Sequence, residues 1–239
     1  MTAMAPLMEI TLRGLLGRRR TILLALFAAL PVFIALLIRL TGGRPDADRV
    51  IDTLVIRMVM ALVALVIGTA AIGSEIEDGT AVYLMIKPIP RWQIALAKIL
   101  VAAGLTAAMI VPSVILTGVL LGGRSDQATT IVGFSIACLV GGAAYSSAFV
   151  TLSVFTSRAL LIGLAYTLIW EGVLSGLLEG TKFLSIRQAT LGLAAALGID
   201  VRGEPLVPVV SVAVLSVVIV GSFLLTSWRL SRFEIRAGD

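Results

Sequence analysis

Six stretches of predominantly apolar residues alternate with shorter polar segments along the chain. They cover approximately residues 21–40, 58–74, 99–121, 129–155, 159–178 and 207–228. A helix needs about 20 apolar residues to cross a bilayer, and longer helices fit by tilting. Strands of a membrane barrel are about 10 residues long and alternate in polarity, which these stretches do not. The pattern predicts an all-α polytopic membrane protein, with six transmembrane helices in one domain over residues 21–239.

Residues 1–20 precede the first stretch and mix apolar with basic positions. In the segment MEITLRGLLGRRR, Ile10, Leu12, Leu15 and Leu16 stand among basic residues. This mixture is typical of a helix that lies in the membrane interface, so we expect a cytoplasmic amphipathic surface helix here. A disordered basic start is the alternative. A cleaved signal peptide is not expected, because the apolar run that follows is too long and five more come after it.

A second short amphipathic segment, SIRQATLGLAAALG, follows the fifth stretch. Ser185 and Gln188 form a capping box, and Gly198 fits a C-terminal cap. One face of the predicted helix is formed by Ile186, Thr190, Leu193 and Leu197. The segment is too short to span a bilayer, so we expect an outer helix that is interfacial or re-entrant.

The fourth stretch contains small residues four positions apart, which allow helix backbones to approach closely. The two rows are Gly133, Ala137, Gly141 and Ala143, Ser147, Thr151. They predict a helix contact within the subunit or at a dimer seam. Pro31 and Pro112 lie in the middle of spans and should kink their helices, and we favour simple geometry over a gating role.

Composition agrees with a membrane protein and excludes several kinds of site. The chain is 59% hydrophobic and 14% charged, against about 25% charged in a soluble domain, and its mean hydropathy is +1.07. Histidine is absent and Cys138 is the single cysteine. A His/Cys metal site, an intrachain disulfide and a Ser-His-Asp triad are therefore impossible. We expect no metal site, no catalytic residues and no nucleic-acid partner, and an intramembrane enzyme is disfavoured.

The net charge of +5 is interpreted as a topology signal. With six spans, both termini share one side, which carries eleven of the 19 Lys and Arg residues, and the other side carries eight. The bias is strongest before the first span, at Arg18, Arg19 and Arg20. We therefore expect a multi-pass protein of the plasma or inner membrane with both termini in the cytoplasm.

The densest polar segment, GSEIEDGTAVYLMIKPIPRWQIALAK over residues 73–98, connects the second and third spans. Glu75, Glu77 and Asp78 precede a predicted short helix over residues 80–86, which ends before Pro88 because a residue preceding proline avoids helical geometry. Pro90 can start the next helix, and Arg91 with Trp92 can anchor that helix at the headgroups. The segment therefore suits docking to another protein, and a solvated loop is the alternative.

The same segment resembles the signature of type-2, export-class permeases of ATP-binding-cassette (ABC) transporters. Residues on that pattern, or in the short helix that it contains, are Glu75, Glu77, Asp78, Gly79, Thr80, Tyr83, Pro88, Pro90, Arg91 and Lys98. The resemblance implies a coupling helix that binds a separate ATPase dimer. It also implies a second permease copy, either identical or related. The chain has no G-x-x-x-x-G-K-[ST] phosphate loop. We therefore expect ATP and Mg to bind the partner ATPase, and we expect no cofactor to bind this chain. The alternative is a membrane anchor that recruits an ATPase without moving cargo.

Glu171 is the ionisable residue that we place well inside a span, in the sequence LIWEGVLSG. Because a charged residue inside a bilayer is costly, it is a candidate for the transport path, together with Tyr166 and Trp170. The alternative is that Glu171 bonds a neighbouring helix and stabilises the outer hairpin. Arg39 and Arg57 lie at predicted span ends and are interpreted as snorkelling side chains.

Overall fold

The computed structural model describes residues 4–43, 47–77, 90–122, 127–174, 179–201 and 203–232, and every regular element in these ranges is helical. The α-helices are α1 (Met4–Leu15), α2 (Arg18–Leu40), α3 (Ala47–Val50), α4 (Met60–Glu77), α5 (Arg91–Leu121), α6 (Gln127–Phe155), α7 (Ala159–Ala165), α8 (Ile186–Ala196) and α9 (Pro208–Ser231). A first π-helical segment, Ile51–Val59, joins α3 to α4, and a second, Tyr166–Leu174, continues α7. A short 3₁₀ helix, Glu179–Leu184, precedes α8.

Five helical stretches are long and apolar enough to cross a membrane by length and composition. They are Thr21–Leu40, Ala47–Ile72, Arg91–Leu121, Gln127–Phe155 and Pro208–Ser231. The fifth predicted span corresponds to the shorter apolar helix Ala159–Gly172. Its last predicted residues, 175–178, lie outside the described part of the chain. The protein is thus an all-helical membrane protein, and the count of six spans stays a prediction.

Two helices begin earlier in the chain than the hydropathy pattern predicts. The second apolar helix begins at Ala47 rather than near Met58, and the third begins at Arg91 rather than near Ile99. In both cases the additional residues include charged side chains, which lower the hydropathy of the window that contains them. The helix nevertheless continues through them, because its backbone hydrogen bonds do not depend on side-chain polarity.

Contacts between helix termini define the two ends of the bundle. The Arg39 guanidinium donates to the Leu120 carbonyl over 2.9 Å, which joins the C-terminal ends of α2 and α5. Gln127 at the start of α6 donates to the Gly118 carbonyl over 3.0 Å, so that this helix begins at the same end. We call this the Leu121 end. At the opposite end, the Pro90 end, the Arg229 guanidinium lies 5.6 Å from the centre of the Phe155 ring.

Small and hydroxyl side chains join the central helix α6 to its neighbours. The Thr106 and Ser146 hydroxyls lie 2.9 Å apart between α5 and α6. Thr151 donates to the Ser222 carbonyl over 3.0 Å and lies 2.9 Å from the Thr226 hydroxyl, which connects α6 to α9. Thr151, the last residue of this predicted row, therefore contacts α9 within the subunit.

The other predicted row on α6 meets the outer helix α8. A Cβ atom added at Gly141 would overlap the Thr190 side chain, and one added at Gly133 would lie 2.6 Å from Ile199 Cδ1. Without these glycines, α8 could not approach α6 so closely. This row also forms a contact within the subunit. It places α8 against the half of α6 that starts at the Leu121 end.

Helix α1 has one buried and one exposed face, and its predicted position in the membrane interface stays a prediction. Leu7, Thr11 and Leu15 are buried, while Leu12 and Leu16 are exposed. The buried positions are four apart, which places them on one helical face, and α1 contacts α4 and α5. From Met4 onward the start of the chain is thus helical rather than disordered. Pro31 and Pro112 lie within α2 and α5, and both helices continue beyond them.

Candidate functional site

Most of the predicted coupling segment lies outside the described residues. This applies to Asp78, Gly79, Thr80, Tyr83 and Pro88. Glu75 and Glu77 belong to the last turn of α4, whose backbone is helical to Glu77. The short helix predicted over residues 80–86 therefore stays a prediction.

The structure describes the C-terminal end of the coupling segment from Pro90 onward, and the geometry there agrees with the predicted helix start. Pro90 immediately precedes α5 with φ −56° and ψ 132°, and the Gln93 amide donates to the Pro90 carbonyl over 3.0 Å. Helix α5 therefore begins one residue after the second proline, where a fixed φ near −65° is compatible with a helix start. Trp92 is exposed in the first turn, a position suited to an interfacial anchor.

Lys98 directly precedes the third predicted span but is not exposed at the end of its helix. It lies about two turns into α5, because the helix begins at Arg91, and only 2% of the residue is exposed. A buried ammonium group is costly unless it is paired, and Lys98 does have an interaction partner. The Lys98 side chain is therefore held inside the helix bundle, and its predicted role in ATPase coupling stays a prediction.

Glu171 lies at the centre of a second polar site, which joins the second π-helical segment to the N-terminus of α8. The residue is 2% exposed. Its Oε1 atom accepts hydrogen bonds from the Tyr166 hydroxyl over 2.9 Å and from the Ile186 amide over 2.9 Å. The Arg187 amide donates to the same oxygen over a longer 3.4 Å. One carboxylate thus satisfies amide groups that a helix start otherwise leaves unpaired.

The other carboxylate oxygen of Glu171 binds the N-cap residue of α8. The Ser185 hydroxyl donates to Oε2 over 2.5 Å and accepts from the Gln188 amide over 3.0 Å. The guanidinium of the buried Arg187 also lies 3.9 Å from Oε2. Ser185 therefore caps α8 as predicted, and Glu171 supports this cap from another helix. The Ser185 amide donates to the Lys182 carbonyl over 3.2 Å, where a capping box would have the Gln188 side chain as the acceptor.

The C-terminus of α8 closes as predicted. Gly198 has φ +85°, its amide donates to the Ala195 carbonyl over 3.0 Å, and the Ile199 amide donates to the Ala194 carbonyl over 3.3 Å. These two bonds form a Schellman motif, which favours glycine because φ is positive. Both ends of the outer helix are thus specified by side chains or glycine.

Aromatic side chains extend the site from Tyr166 into α6. The Phe149 ring lies edge-on to Tyr166, with 6.5 Å between the centroids, and stacks on Tyr145 at 5.9 Å. Trp170 does not join the Glu171 network: within the described ranges its buried indole nitrogen has no hydrogen-bond partner. Of the three residues predicted for the transport path, the structure therefore brings together Glu171 and Tyr166.

An ion pair between the buried Asp52 and the partly exposed Arg57, in the first π-helical segment, was missed by the sequence analysis. Arg57 Nε lies 3.0 Å from Asp52 Oδ1, and an Arg57 terminal nitrogen lies 3.1 Å from Oδ2. Asp52 is 2% exposed. The interpretation of Arg57 as a snorkelling side chain did not include this partner, because a separation of five residues is not a neighbour spacing on an α-helix. Arg39 is exposed at its helix end and binds a backbone carbonyl of α5.

A family model described as ABC-2 family transporter protein matches residues 16–175. The chain belongs to this family. The match begins before α2, includes the predicted coupling segment, and extends through the second π-helical segment. No curated protein matches the chain.

Membership of the ABC-2 family identifies the chain as a multi-pass membrane permease component of an ABC transporter. Such a component is not itself catalytic, and the family implies a partnership with an ATP-binding subunit. The matched range includes Glu171, whereas Ser185 and Arg187, which hold it, lie beyond residue 175. The outer helix α8 of this ABC-2 permease lies outside the range of the family match, so it is known from the structure alone.

Proposed function

We propose that the chain is the permease subunit of an ATP-driven ABC exporter, which forms the translocation path as a dimer and is driven by a separate ATPase dimer. The observation that carries this proposal is the family match over residues 16–175 on a chain of apolar helices. ATP and Mg bind the ATPase, and this permease binds no cofactor. The absence of a phosphate-loop motif from the sequence supports this division of labour.

The ATPase docks on the segment between α4 and α5. Glu75, Glu77 and Asp78 form its acidic side, a short helix over residues 80–86 is the coupling helix, and Pro88 with Pro90 fixes the angle of that helix. Support comes from the sequence signature and from the start of α5 directly after Pro90. Force applied to the segment would pass to α4 and α5, and both helices contact the central helix α6.

The permease lies in the plasma or inner membrane. The Pro90 end of its helix bundle faces the cytoplasm. The start of α5 and the last turn of α9 both lie at this end, with Arg91 and Arg229 on them. Together with the Arg18–Arg20 cluster in the first turn of α2, this agrees with a cytoplasmic excess of basic residues near span ends. Both termini are then cytoplasmic.

Two copies of the permease form the membrane part of the exporter. A homodimer is the default because soluble and membrane oligomers favour closed two-fold symmetry, and a related second permease is the alternative. Both small-residue rows on α6 make contacts within one subunit: Gly133 and Gly141 meet α8 and the residues that follow it, and Thr151 meets α9. The dimer contact is therefore made by other surfaces.

The competing function is a membrane anchor that recruits an ATPase without moving cargo. The two functions are separated by ATP hydrolysis in proteoliposomes that contain the permease and its ATPase, measured across a panel of amphiphiles, lipids and peptides. Cargo-dependent stimulation, with accumulation of that cargo on the far side, supports export. An ATPase that binds the permease yet responds to no cargo, while nothing moves, supports the anchor.

Glu171 and Tyr166 remain candidates for the transport path, and the contacts now favour the alternative role. Four hydrogen-bond donors from this chain surround the Glu171 carboxylate, and Arg187 lies beside it. A carboxylate so occupied has few acceptor positions left for cargo. We therefore propose that Glu171 holds the outer helix in place, and that cargo contacts are made elsewhere.

A further inference from the structure

The two π-helical segments share an unusual feature. Each is nine residues long, whereas π-helical geometry is rare in proteins and mostly occurs as single-turn bulges, frequently at functional sites. Each also contains one polar pair with a separation of five residues. In the first segment the pair is Asp52 with Arg57, and in the second it is Tyr166 with Glu171.

A separation of five residues distinguishes the two helix types. In an α-helix, with 3.6 residues per turn, residues i and i+5 point about 140° apart around the axis. The neighbours on that surface are i+3 and i+4. A π-helix bonds i to i+5, so its wider turn brings these two positions together. The Tyr166–Glu171 bond of 2.9 Å therefore depends on the π-helical geometry.

The orientation of Glu171 also determines what holds the outer helix. Its carboxylate accepts from Ser185, Ile186 and Arg187 at the N-terminus of α8. If the segment changed to α-helical spacing at Tyr166, Glu171 would rotate relative to Tyr166. It could then not keep both sets of contacts.

We propose that Tyr166 is a positioning residue, which holds the second π-helical segment in its wide geometry by bonding Glu171 and thereby presents the Glu171 carboxylate to the N-terminus of the outer helix α8. The first segment supports the same principle independently, since Asp52 and Arg57 make two bonds that require the same spacing. Loss of the wide turn releases the start of α8, while the rest of α8 stays attached through its close contacts with α6 and α9.

The test is hydrogen exchange of the full-length permease in detergent micelles, followed at the amides of Ile186, Arg187 and Gln188. Tyr166→Phe removes only the hydroxyl. We expect these amides to exchange at least about tenfold faster than in the parent protein, because a displaced Glu171 would no longer accept from the Ile186 and Arg187 amides or hold Ser185, which caps the Gln188 amide. Peptides from the middle of α6 should be unchanged. Parent-like exchange at all three amides overturns the proposal.

The matched control is Thr167→Val, at the next position of the same segment. Among the residues that the structure describes, the Thr167 hydroxyl bonds the Gly163 and Leu164 carbonyls of its own helix. Exchange in α8 should therefore stay within about threefold of the parent. An equal acceleration in both variants would indicate a general loosening of the segment, and the proposed role of Tyr166 would be rejected.

A variant that moves the tyrosine by one position tests whether its spacing from Glu171 matters, or only its presence in the segment. Tyr166→Thr combined with Thr167→Tyr moves the hydroxyl to the α-helical spacing of four residues from Glu171. If the wide turn is required, exchange at the start of α8 stays fast. Parent-like protection would show that an α-helical pair suffices, which overturns the proposal. Should this variant fail to yield a folded protein, the comparison of Tyr166→Phe with Thr167→Val decides alone.

Discussion

The contact between Gly141 and the outer helix gives a sharp test of the fold. A Cβ atom at Gly141 would overlap Thr190 Oγ1 and Cγ2, whereas a Cβ atom at Gly104 on α5 would meet nothing within 4 Å. Alanine in place of a helical glycine is worth about 0.5–1 kcal/mol of stability. Overpacking a close contact costs about 1–3 kcal/mol. The free energies of unfolding of the Gly141→Ala and Gly104→Ala variants should therefore differ by this overpacking cost.

We expect the Gly141→Ala permease to melt about 2–12 °C below the Gly104→Ala permease, at about 2–4 °C per kcal/mol. The measurement is thermal unfolding in one detergent, with size-exclusion chromatography to verify that both variants are folded. Gly141→Leu should lower the yield of folded protein further, because leucine adds more volume to the same contact. Equal melting temperatures for the two alanine variants would refute the placement of α8 against α6.

A compensating substitution strengthens this test. Thr190→Ala removes the two atoms that a Cβ at Gly141 would meet most closely, although it also removes a hydrogen bond to the Ile186 carbonyl. Gly141→Ala should therefore be less harmful in a Thr190→Ala background than in the parent. Additive effects would mean that the two side chains are not in contact.

Two further predictions concern the cytoplasmic side. Pro88→Ala combined with Pro90→Ala should weaken ATPase binding or coupled transport more than Glu77→Gln does. Ordering a loose coupling helix costs about 1–2 kcal/mol per backbone residue, whereas an exposed charge pair contributes about 0–1 kcal/mol. Full coupling in the double proline variant would mean that the segment is only a solvated loop. A cysteine at position 3, in a Cys138→Ser background, should resist an impermeant reagent in intact cells, and rapid labelling there would reverse the proposed orientation.

Much of the architecture follows from local sequence features alone. Long apolar runs predict membrane helices because every backbone group in lipid must be bonded within its own segment. The ends of α8 were also predictable, since Ser185 and Gly198 act on backbone groups within four residues of themselves. The same holds for the start of α5 after Pro90. Each of these conclusions depends on neighbours in the chain.

Other features depend on which helices meet, and the sequence left them open. The small-residue rows on α6 predicted close contacts, but their partners, α8 and α9, became known only from the structure. The sequence predicted an amphipathic α1 without saying which positions meet other helices, and packing against α4 and α5 selected Leu7, Thr11 and Leu15.

Glu171 shows most clearly what the sequence determined and what only the tertiary structure decided. The sequence by itself determined that an acidic residue lies in an apolar helix and needs a partner, because an unpaired charge there is costly. Only the tertiary structure decided that its partners are Tyr166, Ser185 and the first amides of α8. Asp52 and Arg57 were likewise visible as residues, but their pairing required a π-helical turn. Helix contacts arise from packing over the whole bundle, and pairs five residues apart are not recognised from a sequence when α-helical spacing is assumed.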